Sequence, residues 1–232
     1  MSEEKDHQDN KTRFSGIMKN IDRFMPAMEI AILEQILEAI QSGIANSAEI
    51  IAQIEAGGGD PVDYDEELEV IENLLGVAFV TCQVYITSVV SMVNKKAEKS
   101  TNSQCRSLSK KKEILRYKNS SVKTIDGTDV TQIQLIDTMA NYYKHRDEWK
   151  IEFKKEIYEN ELSAVPNWMI DKREFNKQTI KVIKAIGVVP HSSGNFRLAA
   201  EVLGNNDYNV RAFAEILRSW SNRIKEECQE LS

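Results

Sequence analysis

Apolar residues recur along this chain at helical spacing and not at strand spacing. Ile30, Leu33, Ile36, Leu37, Ile40, Ile44, Ile51 and Ile54 fall on one face of a 3.6-residue period, the pattern of an amphipathic helix. The spacing predicts a helix from Ile17 or Pro26 to Ala56, ended by the turn chemistry of Gly57-Gly58-Gly59-Asp60-Pro61. Asp63 or Asp65 is expected to start a second helix. Glu66, Glu67, Glu69 and Glu72 suit the positive end of its dipole.

From Asn73 to Asn94 this second helix carries no charge, and Leu, Val, Ile and Phe line all its sides. About 20 apolar residues suffice to span a bilayer, so a transmembrane segment over residues 74–93 is the minority reading. Gln83 near the middle, with Thr81, Thr87, Ser88 and Ser91 around it, argues against lipid. So does the amphipathic helix before it, which needs a partner to cover its apolar face. A helix buried at the centre of a bundle, with no membrane, is the expectation.

Val130, Ile133, Ile136, Met139, Ala140 and Tyr143 predict a third helix. It should open near Thr128 on an Asp129-x-x-Gln132 capping box and run through Ile151, Phe153, Ile157 and Tyr158 to about Leu162. Ala164 to Trp168 reads as a break. Asp171 with Glu174 caps a fourth helix that ends at Gly187. In the loop from Val189 to Asn195, Ser192, Ser193 and Asn195 read as turn and N-cap residues. Val210, Phe213, Ile216, Leu217, Trp220 and Ile224 give a last helix that closes the core. The fold class is therefore all-α: an antiparallel bundle of about six helices around a charge-free central one. Residues 1–15 are expected to form a disordered polar tail, and residues 16–232 a single domain. That domain divides into a helical hairpin over 17–99, a basic linker over 100–127 and helices over 128–232.

Charge changes this picture in one place. The chain has 30 Lys and Arg against 36 Asp and Glu, so overall charge does not suit it to coat nucleic acid. From Lys95 to Lys123, however, there are ten Lys or Arg and two acids. Lys110, Lys111 and Lys112 make this linker basic enough to meet phosphate. Cys82, Cys105 and Cys228 form neither a zinc spacing nor a disulfide framework, which fits a reducing, cytoplasmic setting. The charged opening has no apolar h-region, and no signal peptide is expected. No metal and no cofactor are expected.

The chemistry concentrates in T-M-A-N-Y-Y-K-H-R-D-E-W, Thr138 to Trp149. Asn141, His145 and Glu148 stand one above another on a helix face. Lys144 lies beside them, and Tyr142, Arg146 and Trp149 form the neighbouring face. An imidazole with an unperturbed pKa of about 6.5 suits proton transfer near neutrality. A His with an acid one turn on is also an ordinary structural pair, so a catalytic and a scaffolding reading both stand. His145-Arg146-Asp147 spells the kinase catalytic-loop triplet, but the chain lacks the later Asn, the glycine-rich loop and D-F-G. His145 with Glu148 is half of a di-metal carboxylate site, whose other half the three histidines do not supply.

Asn-x-x-Lys-His on a helix of a small all-α protein resembles the signature region of the HEPN superfamily of nucleotide-binding helical bundles. In that resemblance His145 matches the motif His, and Asn141 matches the polar residue that follows the motif Arg. The positions for that Arg hold Thr138, Met139 and Ala140, leaving Lys144 or Arg146 as the nearby cation. The resemblance implies a bacterial protein that binds RNA or a nucleotide, with metal-independent RNA cleavage in a defence or toxin system as its activity. His145, Asn141 and Lys144 would be the catalytic group, with Arg146, Lys110, Lys111 and Lys112 on phosphate. The alternative is a non-catalytic helical interaction protein, pairing with itself or with another protein.

The tail offers a third expectation. Ala200, Gly204, Val210 and Phe213 follow the spacing of a helix-turn-helix, and Asn209 and Arg211 open the would-be recognition helix on DNA. Gly204 acting as an ordinary helix C-cap explains the same residues.

Overall fold

The computed structural model describes residues 3–57, 60–99, 110–145, 170–189, 193–204 and 208–230; their side chains are described for 29–57, 60–95, 110–145, 178–189, 193–204 and 208–226. Seven helices account for most of these residues, and no strand occurs among them. They are α1 (Glu3–Gly57), α2 (Pro61–Lys99), α3 (Lys111–Arg116), α4 (Gln132–His145), α5 (Ile170–Ala185), α6 (Asn195–Val202) and α7 (Arg211–Glu230). The all-α bundle expected from the sequence is the observed fold. The expected continuation of the third helix to Leu162, the break at 164–168, and His191 and Ser192 lie outside the described residues.

Helix α1 begins at Glu3, within the polar segment set apart above as a tail. Leu33, Leu37, Ile40 and Ile44 point into the core, as their period requires. Ile36 does not; it is turned off that face and is 42% exposed. Helix α2 begins earlier than Asp63. The Asp60 carboxylate accepts the Val62 N–H at 2.9 Å, and Pro61 takes the first helical position, where a missing N–H costs nothing. Ser88 donates to Glu29 at 2.6 Å, and Gly43 lies against Leu74. These two contacts make α1 and α2 an antiparallel hairpin in which Ile36 is level with Thr81.

Helix α2 is the axis of the molecule. Ile71, Leu75, Ala78, Phe79, Cys82, Ile86, Val89 and Val93 are all buried. Phe79 meets the Phe213 ring of α7 at 5.0 Å and the Phe196 ring of α6 at 6.1 Å. Tyr85 donates to the Ser221 hydroxyl of α7 at 2.8 Å. The expectation that neighbours surround α2 on every side is corrected at Val77 and Val84, which point outward. The segment Pro61–Lys95 is long and apolar enough to cross a membrane by length and composition, and just over half of its most apolar window is buried inside the protein, at 56%.

The start of α4 also differs from expectation, for a visible reason. Asp129 is occupied: its carboxylate accepts from Arg116 at 3.2 Å and from Ser121 at 2.7 Å. Backbone pairing of Val122 with Val130 keeps the chain extended up to Thr131. The capping box is instead Thr131-x-x-Gln134. The Gln134 N–H donates to Thr131 Oγ1 at 3.3 Å, and Gln134 Oε1 accepts the Thr131 N–H at 3.1 Å. Helix α5 closes as expected. Gly187 sits at φ +84°, Val188 N–H reaches the Ile183 carbonyl and Gly187 N–H the Lys184 carbonyl. This is a Schellman motif, sealed by burial of Val188 on Ile183. Asn195 is no cap. It opens α6 with its side chain buried, donating to the Tyr142 hydroxyl at 3.1 Å and the Val189 carbonyl at 2.9 Å.

Two predictions follow from this packing. A Cβ at Gly76 would overlap the Tyr143 ring. Gly76→Ala should therefore lower stability by about 1–2 kcal/mol, although Ala is the better helix former by about 1 kcal/mol. In a Tyr143→Ala background the same change should become stabilising; thermal denaturation of the four proteins checks both signs. Burial pushes the Cys82 thiol well above its ordinary pKa. Peptide mapping after iodoacetamide should find Cys82 unmodified in the native protein and modified after unfolding in urea.

Candidate functional site

Two polar outliers in apolar helices meet. Gln83 is the amide in the middle of the charge-free stretch of α2, and Asp137 is a carboxylate in the buried first half of α4. Neither tolerates burial alone, since an unpaired buried polar group costs roughly 1–3 kcal/mol. Gln83 Nε2 donates to Asp137 Oδ1 at 2.8 Å and to Asn141 Oδ1 at 2.9 Å, and touches the Asp137 carbonyl at 3.0 Å. Two cations complete the cluster from different elements. Lys111 Nζ, from α3, donates to Asp137 Oδ1 at 2.8 Å. Lys144 Nζ, from α4, donates to Gln83 Oε1 at 2.6 Å.

The sequence-predicted residues separate on these coordinates. Asn141, Lys144 and Lys111 are brought into one network. His145, half-buried, lies on α4 one turn beyond Asn141. Lys110 and Lys112 flank Lys111: Lys110 precedes α3, Lys112 lies within it, and both are exposed. Asn141 is 6% exposed with its oxygen engaged by Gln83, so it positions α4 against α2. Arg146, Glu148 and Trp149 lie outside the described residues. Gln83 and Asp137 were not among the predicted site residues. The signal for Asp137 was its place four residues before Asn141, on the same face; for Gln83 it was the lone long amide among aliphatics.

The arrangement has a buried, satisfied polar floor and a cationic rim. One carboxylate stands against two ammonium groups, with Lys110 and Lys112 adding charge in solvent. Positive charge of this kind favours anionic groups such as phosphate or carboxylate, and the half-buried His145 follows Lys144 directly in the chain. Among the described residues no three His, Cys, Asp or Glu side chains gather as a metal site.

The tail residues have other work. Arg211 pairs bidentately with Glu38 of α1, at 2.5 and 2.6 Å. That hydrogen bond holds the Glu38 carboxyl below its ordinary pKa. Asn209 Oδ1 accepts the Arg211 N–H at 3.2 Å, and Gln41 accepts the Val210 N–H at 2.8 Å. The first turn of α7 is thereby seated on α1. Gly204, at φ +85°, ends α6 with its N–H on the Glu201 carbonyl, the C-cap role.

Fold and site together define a seven-helix all-α protein, among its described residues, with a buried amide–carboxylate floor under a lysine rim. Comparison with known proteins found no matching family model, no matching curated protein and no matching solved structure.

The network makes a direct prediction. Gln83→Leu keeps shape but strands the Asn141 oxygen and leaves Asp137 with Lys111 alone in the network, and should cost roughly 2–4 kcal/mol. Lys111→Met removes a part-exposed partner and should cost about 1 kcal/mol or less. Urea denaturation orders the two; an equal or reversed order would contradict a buried floor held by the amide.

Proposed function

We propose that this chain is a HEPN-like helical protein that binds RNA or a nucleotide by phosphate at the lysine rim. The observation that supports it is the convergence of Lys111 and Lys144, from separate elements, on one buried amide–carboxylate pair. Lys111 is paired with the Asp137 carboxylate and Lys144 with a neutral amide oxygen, which leaves net positive charge to suit an anionic ligand. In this reading Lys144, Lys110 and Lys112 meet phosphate, and Arg146 joins them. Asn141 and Gln83 fix the rim's geometry. His145 is the proton-transfer group of a metal-independent RNA cleavage, in a bacterial cytoplasmic defence or toxin setting.

A fluorescently labelled single-stranded RNA, titrated with protein over a salt series, tests this. Wild type should bind with affinity that falls linearly on a log–log salt plot. Lys110→Ala with Lys112→Ala should flatten that slope by about 1 to 1.5, two phosphate contacts' worth for a single strand. His145→Ala should retain binding and lose cleavage. No binding at low salt, or binding indifferent to the lysines, would discard the phosphate reading. Intact binding without cleavage in wild type would discard only the enzyme.

The second reading is a non-catalytic helical interaction protein. It is favoured by the mutual satisfaction of Gln83, Asp137 and Asn141, which is what a structural register device requires, and by the apolar residues α2 presents outward.

A further inference from the structure

The outward strip of α2 runs opposite to its core face. Val70, Val77 and Val84 repeat every seven residues along it and are 43%, 41% and 69% exposed. Val80, half-buried, lies between the last two. On the neighbouring helix, Ile32 and Ile36 are 52% and 42% exposed. A contiguous apolar face of this kind marks an interface. Its seven-residue repeat, with residues between at three- and four-residue steps, is the seam that lets one helix lie along another.

The ends of the strip say what lies along it. Toward its N-terminus α2 exposes Asp63, Asp65, Glu66 and Glu69; at the far end stands Lys95. Between Asn73 and Asn94 there is no charge. A second α2 laid parallel would put acid on acid and base on base. Laid antiparallel, each acidic end meets the other's basic end, and the helix dipoles oppose. The register that sets Val77 against Val84 of the second copy also sets Glu66 against its Lys95. The axis then passes at the level of Thr81, which is the level of Ile36 in the α1–α2 hairpin. The exposed Ile36 of each copy thus comes to the axis beside the seam. Valine pairing, charge pairing and the place of Ile36 agree on one two-fold arrangement, as a self-complementary interface requires.

We propose that two copies of this chain pair through α2, antiparallel, about a two-fold axis at Thr81 and Ile36. This is independent of the phosphate reading; neither site uses the other's residues.

Sedimentation equilibrium of the full chain at several concentrations should report a dimer. Val84→Glu places a carboxylate in the seam and should raise the dimer dissociation constant at least about 100-fold. Because Val84 is exposed, far-UV circular dichroism and thermal midpoint should stay near wild type. Glu66→Lys and Lys95→Glu should each weaken the dimer, and the double exchange should restore it. A parallel pairing would show no such rescue. A wild type that is monomeric throughout, a dimer that survives Val84→Glu, or single exchanges without rescue would overturn the proposal. So would a monomer that floats with phosphatidylcholine vesicles and ceases to float on Val84→Glu, since the strip would then meet lipid.

Discussion

The Gln83 amide sets the register of the bundle. It sits at the middle of 22 consecutive uncharged residues, where the apolar character alone of the helix does not mark one register. Apolar burial is non-directional. Hydrogen bonds are not. Only one placement of α4 gives Nε2 the Asp137 and Asn141 oxygens and gives Oε1 the Lys144 ammonium. A buried polar group thus selects one alignment from several of similar apolar energy, the best-attested use of such groups. Gly76 enforces the same alignment sterically, since only a residue without Cβ leaves room for Tyr143.

The same logic fixes the other helices. Glu72, on the face of α2 one turn before Gly76, accepts the Phe196 and Arg197 N–H groups at 3.0 and 3.1 Å and the Arg197 guanidinium at 3.0 Å. One carboxylate satisfies two of the orphan donors that open α6 and sits at the positive end of its dipole. Gln41 does the corresponding work for α7 through Val210, while Arg211 and Arg218 pair with Glu38 and Glu34 of α1. Trp220, fully buried, donates its indole N–H to the Ile114 carbonyl at 3.2 Å and so holds the short α3 in place. Lys111 reaches Asp137 because of that anchorage. The apolar core supplies most of the stabilisation, and these side chains decide which helix ends meet.

What was legible in the sequence was what depends on periodicity. The 33-37-40-44 stripe, the Gly187 stop and the burial of Phe213, Leu217, Trp220 and Ile224 are local or one-dimensional properties, and they hold. Helix starts were less legible, because capping is a competition. Asp129 has the right residue three positions on, yet Arg116 and Ser121 claim its carboxylate, and the neighbouring Thr131 caps instead. Only tertiary contacts decide such a contest. The site divides in the same way. The helical step of four linked Asn141 to His145, and the basic run pointed to Lys111. Gln83 lies 54 residues from Asp137 along the chain, and no spacing rule connects them. The outward turn of Val84 was hidden for the converse reason: a stretch without charge looks equally apolar on every face, and only neighbours show which one is left open.

That open face is unfavourable on local grounds. On a solvent-exposed helical position valine is worse than alanine, lysine or glutamate by a few tenths of a kcal/mol to about 0.7 kcal/mol, through lost χ1 freedom. It also leaves apolar surface in water at about 25 cal/mol per Å². Val70, Val77 and Val84 each carry both costs, while the strip between them avoids the charges that make up 28% of the whole chain. Local preference, solubility and composition all argue for another residue at these positions, and none of the folded contacts described within one copy requires valine there. A rule broken at three positions spaced by seven, on the side of α2 away from its core, is best accounted for by a contact outside the single chain. The β-branched side chain that weakens an isolated helix is well suited to the close, regular approach of a second helix, and it loses little further entropy on being packed.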